Sequence, residues 1–399
     1  MPRSLNTLLA AALLAPGLVA CDRDDLYGGS RFSENVYDAY SECSEAEIRF
    51  LAGKHNMQMV FDNCGSNNFV NYAWAPDGIQ IYFQLPMSAH VMNAEDKTIG
   101  TMPTEVPTTG IAWLARDLMV LPLSPAEGAE QPRLVLFNRV QASIKTLEVP
   151  ATELHDLYPT GSRDKVYFTA LDENHERRVW MADFTNDAVT RAFPWLDDVL
   201  GTRALSNFTY TPELDIVTWH DGETVNVAKG ADGERLHTFT DATRAIVHPE
   251  GRYIALETMG DPISPFDQRS WDELSDEARE REQRRSQEWL DRQPDWVMKK
   301  VEPPVIDIYD GEVDKRFRFT GFYGDRFQWY PSPYYASFVM WGIEGKELNK
   351  NVALTNLHER LRMAAKGDIP LGVELWAPKG AAPAEPAPAE PAAPAAPPE

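Results

Sequence analysis

The chain has 399 residues, of which 61 are acidic and 38 are basic, and its formal net charge at pH 7 is −23. Such an acidic surface repels the phosphate backbone of nucleic acids and the head groups of anionic lipids, so we expect no nucleic-acid partner. After the first twenty residues no apolar stretch is long enough to span a bilayer. We therefore expect a water-exposed folded body.

The first twenty residues are typical of a leader for export. Arg3 is their only charged residue, and it precedes an apolar run from Leu8 to Leu18 that is too short and too rich in alanine for a transmembrane helix. The run ends in Leu18, Val19, Ala20 and Cys21, which resemble the lipobox of bacterial lipoproteins.

This resemblance implies a signal peptide over 1–20, a lipid on Cys21 and a lipid-anchored tether over 21–55. Several acyl chains, each contributing about 0.8 kcal/mol per buried methylene, make such an anchor durable. Asp22 resembles the signal that retains enterobacterial lipoproteins at the inner membrane. We expect a protein that faces the periplasm from the inner membrane, with the outer membrane as the alternative. Ordinary cleavage near Ala20, leaving Cys21 as an incidental thiol, is the competing interpretation.

If Cys21 is lipidated, Cys43 and Cys64 are the remaining cysteines. Export to an oxidising compartment favours a disulfide between them, and two buried thiols are the alternative. Closing that loop would stabilise the fold by roughly 3 kcal/mol in the chain-entropy model. Neither cysteine has the spacing of a redox or zinc motif, so we expect no metal site and no cofactor.

A weak repeat then runs through most of the chain. Its clearest copy is a strand ending at Trp74, a Pro-Asp-Gly turn over Pro76–Gly78 and a second strand over Ile79–Phe83. A second copy turns at Pro249–Gly251. Degenerate copies precede β-rich runs at Leu118–Pro122, Val166–Ala170, Ile216–Trp219 and Tyr335–Trp341.

A second hairpin follows each turn, most clearly in Arg178–Asp183 with Ala188–Phe193. Four strands in a unit of roughly 40 to 50 residues are typical of a β-propeller blade. The turn chemistry resembles the repeats of TolB-like (WD40-like) propellers, a class associated with periplasmic protein interaction. The resemblance implies an all-β propeller over 56–377 with six blades, or seven, closed by Met57–Asp62 or Gly372–Trp376. A β-sandwich is the structural competitor.

Two segments depart from the repeat. The segment 262–303 is predicted to be a helical insertion in the fifth blade, with Trp271, Trp289 and Trp296 as candidate interaction residues. Packing of these tryptophans against their own blade is the alternative. The segment 378–399 consists almost wholly of alanine, proline and glutamate and is predicted to be a disordered tail.

No linear motif for catalysis is present: the sequence contains no GxSxG, HExxH, GxGxxG or P-loop pattern. We therefore predict a non-enzymatic protein-interaction or assembly scaffold, anchored to a membrane by its lipid and bound to a protein partner. The alternative is a periplasmic enzyme, or a propeller that binds carbohydrate or another small ligand in its central channel. Eight residues lie on the predicted inner strands, and alternate members would face that channel: Tyr72, Trp74, Ile111, Trp113, Phe208, Tyr210, Phe327 and Trp329. Burial between blades is the default explanation for these side chains.

Overall fold

The structure is a computed structural model that describes residues 57–59, 71–85, 87–102, 105–260, 304–319, 323–331, 335–341, 352–356 and 373–375. This part of the chain forms 25 β-strands and one short helix. The first strand, β1 (Met57–Met59), stands apart from the strands that follow it in sequence, because its pairing partner comes near the end of the chain.

Five sheets, here called blades, are each built from consecutive strands in antiparallel order. Blade one contains β2 (Asn71–Trp74), β3 (Gln80–Leu85), β4 (Ser88–Asn93) and β5 (Ile99–Thr101). Blade two contains β6 (Ala112–Ala115), β7 (Leu118–Leu123), β8 (Arg133–Asn138) and β9 (Ala142–Glu148). Blade three contains β10 (Glu153–Pro159), β11 (Lys165–Leu171), β12 (Arg177–Asp183) and β13 (Ala188–Arg191).

The helix α1 (Pro194–Leu200) follows blade three. Blade four contains β14 (Ser206–Thr211), β15 (Ile216–His220), β16 (Val225–Lys229) and β17 (Arg235–Phe239). Blade five contains β18 (Ala242–Val247), β19 (Tyr253–Met259), β20 (Pro304–Asp310) and β21 (Lys315–Phe319). The last strands are β22 (Tyr323–Trp329), β23 (Tyr335–Trp341), β24 (Val352–Asn356) and β25 (Val373–Leu375).

The remaining sheet, here called the closing sheet, has the strand order β1-β24-β23-β22 and so joins the first described strand to strands near the end of the described chain. The predicted count of six repeating blades, or seven, is corrected by this order. Five blades are built from consecutive strands, whereas the sixth sheet is a composite whose fourth strand precedes blade one. The late segment Gly372–Trp376, the other candidate for closing the ring, does not belong to the closing sheet. Its strand β25 pairs with β21 as an added edge strand of blade five.

The chain is a β-propeller, and the sandwich alternative does not describe it, because the first strands of the sheets surround a shared central channel. Hydrophobic cores lie between adjacent sheets, as where Val120 and Leu134 of blade two pack in one cluster with Phe168 of blade three. In blade one, burial is greatest in the middle of the sheet and is lost at the outermost strand: the central residues of β3 are buried, whereas all of β5 is exposed. A middle strand is covered on both faces, which explains why β7 is apolar and buried throughout.

The predicted turns form for the expected physical reason. The amide of Gly78 donates to the carbonyl of Ala75 at 2.9 Å, with Gly78 at φ +69°, a conformation that favours glycine. The carboxylate of Asp77 accepts from the amide of Ile79. The second clear copy repeats the first bond, with the amide of Gly251 donating to the carbonyl of His248 at 2.7 Å.

The helix α1 was not predicted. It begins at a proline, and its Leu196 and Leu200 are buried against Phe208 and Trp219 of blade four. The predicted helical insertion 262–303 belongs between β19 and β20 of blade five and lies outside the described residues, so α1 is a different element. Within the described ranges, no helix has the length and apolar character needed to cross a membrane.

Candidate binding site in the central channel

A cavity of about 320 Å³ lies where the first strands of the five blades meet β22 of the closing sheet. All six of these strands contribute to its wall, so the cavity is the central channel of the propeller. The wall contains most of the aromatic residues expected there, and also Tyr158; of the expected set, Phe208 is buried away from the cavity.

Hydrogen bonds from side chains to neighbouring backbones hold these strands together around the channel. The Trp113 indole donates to the carbonyl of Ala73, and the Trp329 indole donates to the carbonyl of Ile246 at 2.9 Å. The hydroxyls of Thr209 and Thr211 in blade four likewise donate hydrogen bonds to backbone carbonyls of blade five. The polar atoms of several wall residues are therefore already engaged in joining one blade to the next.

The closing sheet is joined to blade one in the same way. The indole of Trp74 donates to Ser337 Oγ at 2.9 Å, and the Tyr72 hydroxyl donates to the carbonyl of Arg326 at 2.8 Å. Gln328 returns a bond to the carbonyl of Tyr72. Ser337 is completely buried, so this junction between the closing sheet and blade one is shielded from bulk solvent.

Irregular pairing marks the beginning of four of the first strands. The register shifts between Leu154 and Leu157, between Ser206 and Thr209, between Ala242 and Arg244, and between Asp325 and Gln328. Such bulges change the direction in which side chains point. At this end Asp156 and Arg244 reach the cavity wall, whereas prolines of the predicted turns border the opposite end.

Arg244, a charged residue of the cavity wall, faces Glu257 across β18 and β19. Arg244 Nη1 lies 3.5 Å from Glu257 Oε1, and the two side chains are 25% and 13% exposed. The same carboxylate oxygen accepts a short bond, 2.6 Å, from the amide of Phe327. Glu257 thus connects blade five to the closing sheet as well as to Arg244.

Burial raises the pKa of Glu257, and Arg244 and the amide of Phe327 oppose this rise without cancelling it. Burial lowers the pKa of Arg244, but Glu257, Tyr158 and Asp156 together raise it above its ordinary value. Burial also raises the pKa of the Tyr72 and Tyr158 hydroxyls. At neutral pH the wall therefore presents a charged guanidinium and neutral phenols.

The site residues predicted from the sequence lie outside the described residues: Cys21, Asp22, Cys43, Cys64, Trp271, Trp289 and Trp296. The lipid, the sorting signal, the disulfide and the tryptophan anchors stay predictions. In the described part of the chain, no group of three or more histidine, cysteine or acidic side chains is arranged to hold a metal ion.

Sequence reasoning missed Arg244 and Glu257 because neither belongs to a motif. A signal was nevertheless available, because a hairpin pairs residues that are equally distant from its turn. The predicted Pro249–Gly251 turn pairs Ala245 with Leu256, and the next pair outwards is Arg244 with Glu257.

No protein-family model matches the sequence, and no curated protein matches it. Among solved structures, the β-propeller domain of Myceliophteria thermophila Cps50 (Swd1) is 8% identical with a TM-score of 0.41, over 73% of this chain and 98% of that chain. A putative TolB from Agrobacterium tumefaciens is 10% identical with a TM-score of 0.38, over 64% of this chain and 81% of that chain. These similarities carry no information about activity or partners.

Proposed function

We propose that the chain is a non-enzymatic binding protein of the periplasm, attached to the membrane by a lipid on Cys21, whose propeller holds a protein partner at the mouth of its channel. The observation that supports it best is the composition of the cavity wall, which combines Trp74, Trp113, Trp329, Tyr158 and Arg244. Tryptophan, tyrosine and arginine are the residue types that contribute most to binding at protein interfaces.

The carboxylates around the channel support binding better than acid–base catalysis. Glu257 has the raised pKa that a general acid needs, but its Oε1 is occupied by the amide of Phe327 and faces Arg244. Asp156 and Glu213 also line the cavity, on different blades. A carbohydrate stacked on the aromatic wall is the alternative occupant, and it is distinguished by the experiment below.

The partner is sought by photocrosslinking in the native membrane. A photoreactive residue at position 156, which is exposed at the channel mouth, is expected to capture one protein. The matched control carries the same residue at position 99, where Ile99 is 58% exposed on the outer strand β5. Equal capture at both positions, or no protein captured at position 156, would contradict the proposal.

The anchor is tested separately by cell fractionation. Cys21→Ala is expected to move the protein from the membrane to the soluble periplasmic fraction, because lipid attachment requires the thiol. Retention of this variant in the membrane fraction would contradict lipid anchoring and would leave the photocrosslinking result unaffected.

A further inference from the structure

Two polar groups in the cavity wall have hydrogen-bonding capacity that the described residues do not use. Among the described residues, the guanidinium of Arg244 makes a single bond, at 3.5 Å, to Glu257. The hydroxyl of Tyr158 has no hydrogen-bond partner within the described ranges. By contrast, the hydroxyls of Tyr72 and Tyr210 donate to the carbonyl of Arg326 and to Asp215.

Arg244 is arranged to accept a second carboxylate. A guanidinium is always ionised and presents a planar set of donors that matches the two oxygens of a carboxylate. Its bond to Glu257 is longer than the usual 2.7–3.2 Å, and Glu257 directs the same oxygen to the amide of Phe327 at 2.6 Å. Most of the donors of Arg244 are therefore available to a ligand.

The surrounding charges restrict the kind of anion. Asp156 and Glu213 line the cavity as well, and Glu257 lies beside Arg244. These acidic groups repel a dianion such as a phosphate monoester more strongly than a single carboxylate. The local charge therefore favours a ligand with one negative group.

The rest of the wall suits an apolar group. Trp74 and Trp113 are buried yet border the cavity, and Trp329 also lines it. A volume of about 320 Å³ is at the lower end of the range for small-ligand pockets, which is sufficient for one amino-acid residue or a molecule of similar size.

We propose that the central cavity binds a carboxylate attached to an apolar or aromatic group, with Arg244 pairing with the carboxylate and Tyr158 donating a hydrogen bond to it. The inference rests on the proposed function, for which it specifies the contact: the carboxylate would be the C-terminal end of the partner chain. A free aromatic acid offers the same chemistry and is the second source to be tested.

The test uses the purified protein and paired probes that differ only in the carboxylate. N-acetylphenylalanine and its amide represent the small acid, and a pentapeptide ending in phenylalanine, with a free or an amidated C-terminus, represents the partner chain. Tryptophan fluorescence reports binding directly, because three indoles line the cavity. The free acids are expected to bind at least about tenfold more tightly than the amides, as for one hydrogen bond to a charged group.

Three variants locate the effect. Arg244→Gln should remove the preference for the free acid, and Tyr158→Phe, which keeps the charge and the shape of the cavity, should weaken binding several-fold. Arg163→Gln is the matched control, because it removes one positive charge from a side chain that is 71% exposed at a distant turn. Circular dichroism verifies that each variant is folded, and Tyr158→Phe keeps the test valid if Arg244→Gln does not fold.

Preferential binding of the peptide acid supports the partner-chain source, and equal binding of both acids supports the general carboxylate site. Equal affinity for acid and amide, no binding of any probe at millimolar concentration, or wild-type binding by Arg244→Gln would overturn the inference. The crosslinking at position 156 is repeated in the Arg244→Gln variant. If this variant no longer binds the probes but still captures a protein at position 156, the carboxylate is not the contact with the partner. The two proposals therefore fail separately.

Discussion

Replacement of Asp307 by asparagine should destabilise the propeller strongly without touching the channel. Asp307 is fully buried on β20, where its carboxylate accepts from Arg316 Nε at 2.9 Å and from Arg318 Nε at 2.8 Å. Arg316 also donates to Asp241, at the start of blade five, at 2.7 Å. The asparagine amide would place a donor against two guanidinium groups that have been removed from water.

Removing one partner of a buried ionic network costs about 3–5 kcal/mol. A domain of this size shifts its melting temperature by roughly 2 °C per kcal/mol, so Asp307→Asn should melt roughly 6–10 °C lower. Urea and thermal unfolding followed by circular dichroism measure this effect. The matched control is Glu234→Gln, an acid-to-amide change in an ion pair with Lys229 whose side chains are 58% and 50% exposed. Its expected cost is below about 1 kcal/mol. If both variants unfold alike, the reasoning about buried charge is wrong.

Three further predictions concern the turns, the ring closure and the channel. Gly78→Ala should lower the free energy of unfolding, measured with urea, by more than Gly128→Ala does. Both glycines have positive φ, but of the two only Gly78 would bring its new Cβ within 3 Å of another side chain. Ser337→Ala should cost about 1–3 kcal/mol in the same assay, because the buried indole that donates to Ser337 loses its acceptor, and wild-type stability would refute this. A carboxylate probe should bind more tightly as the pH is lowered from neutrality, because the raised pKa of Glu257 favours its protonation, which removes the competing charge beside Arg244. Glu257→Gln should abolish most of this dependence in a fluorescence titration.

Local patterns in the sequence were sufficient to locate most strands. The run predicted over Leu118–Pro122 corresponds to β7 (Leu118–Leu123), and Tyr335–Trp341 is β23 as predicted. These strands could be identified because a tight turn precedes a run of apolar and β-branched residues. That signal acts between neighbours in the chain, so a single sequence is enough to read it.

The blade count and the charged pair could not be read in the same way. The closing sheet depends on β1 pairing with β24, and Met57–Asp62 was indeed one of the two segments expected to close the ring. The three residues of β1 nevertheless carry no pattern that selects β24 as their partner, so the composition of this sheet could not be predicted. The burial of Glu257 depends on the approach of Phe327 from another sheet. Both features arise from contacts between remote parts of the chain, which repeats and motifs do not encode.

The closing sheet also determines when the channel can form during folding. Tyr72 and Ser337, which meet at the junction, are 265 residues apart in sequence. Contacts at such separation are formed slowly, because the entropy of closing the intervening chain must be lost first. Until β22 and β23 are in place, Tyr72 and Trp74 of blade one lack the hydrogen-bond acceptors that the closing sheet provides. A chain cut short before β22 would therefore still contain the strands of five blades, yet it would lack the β22 side of the channel wall.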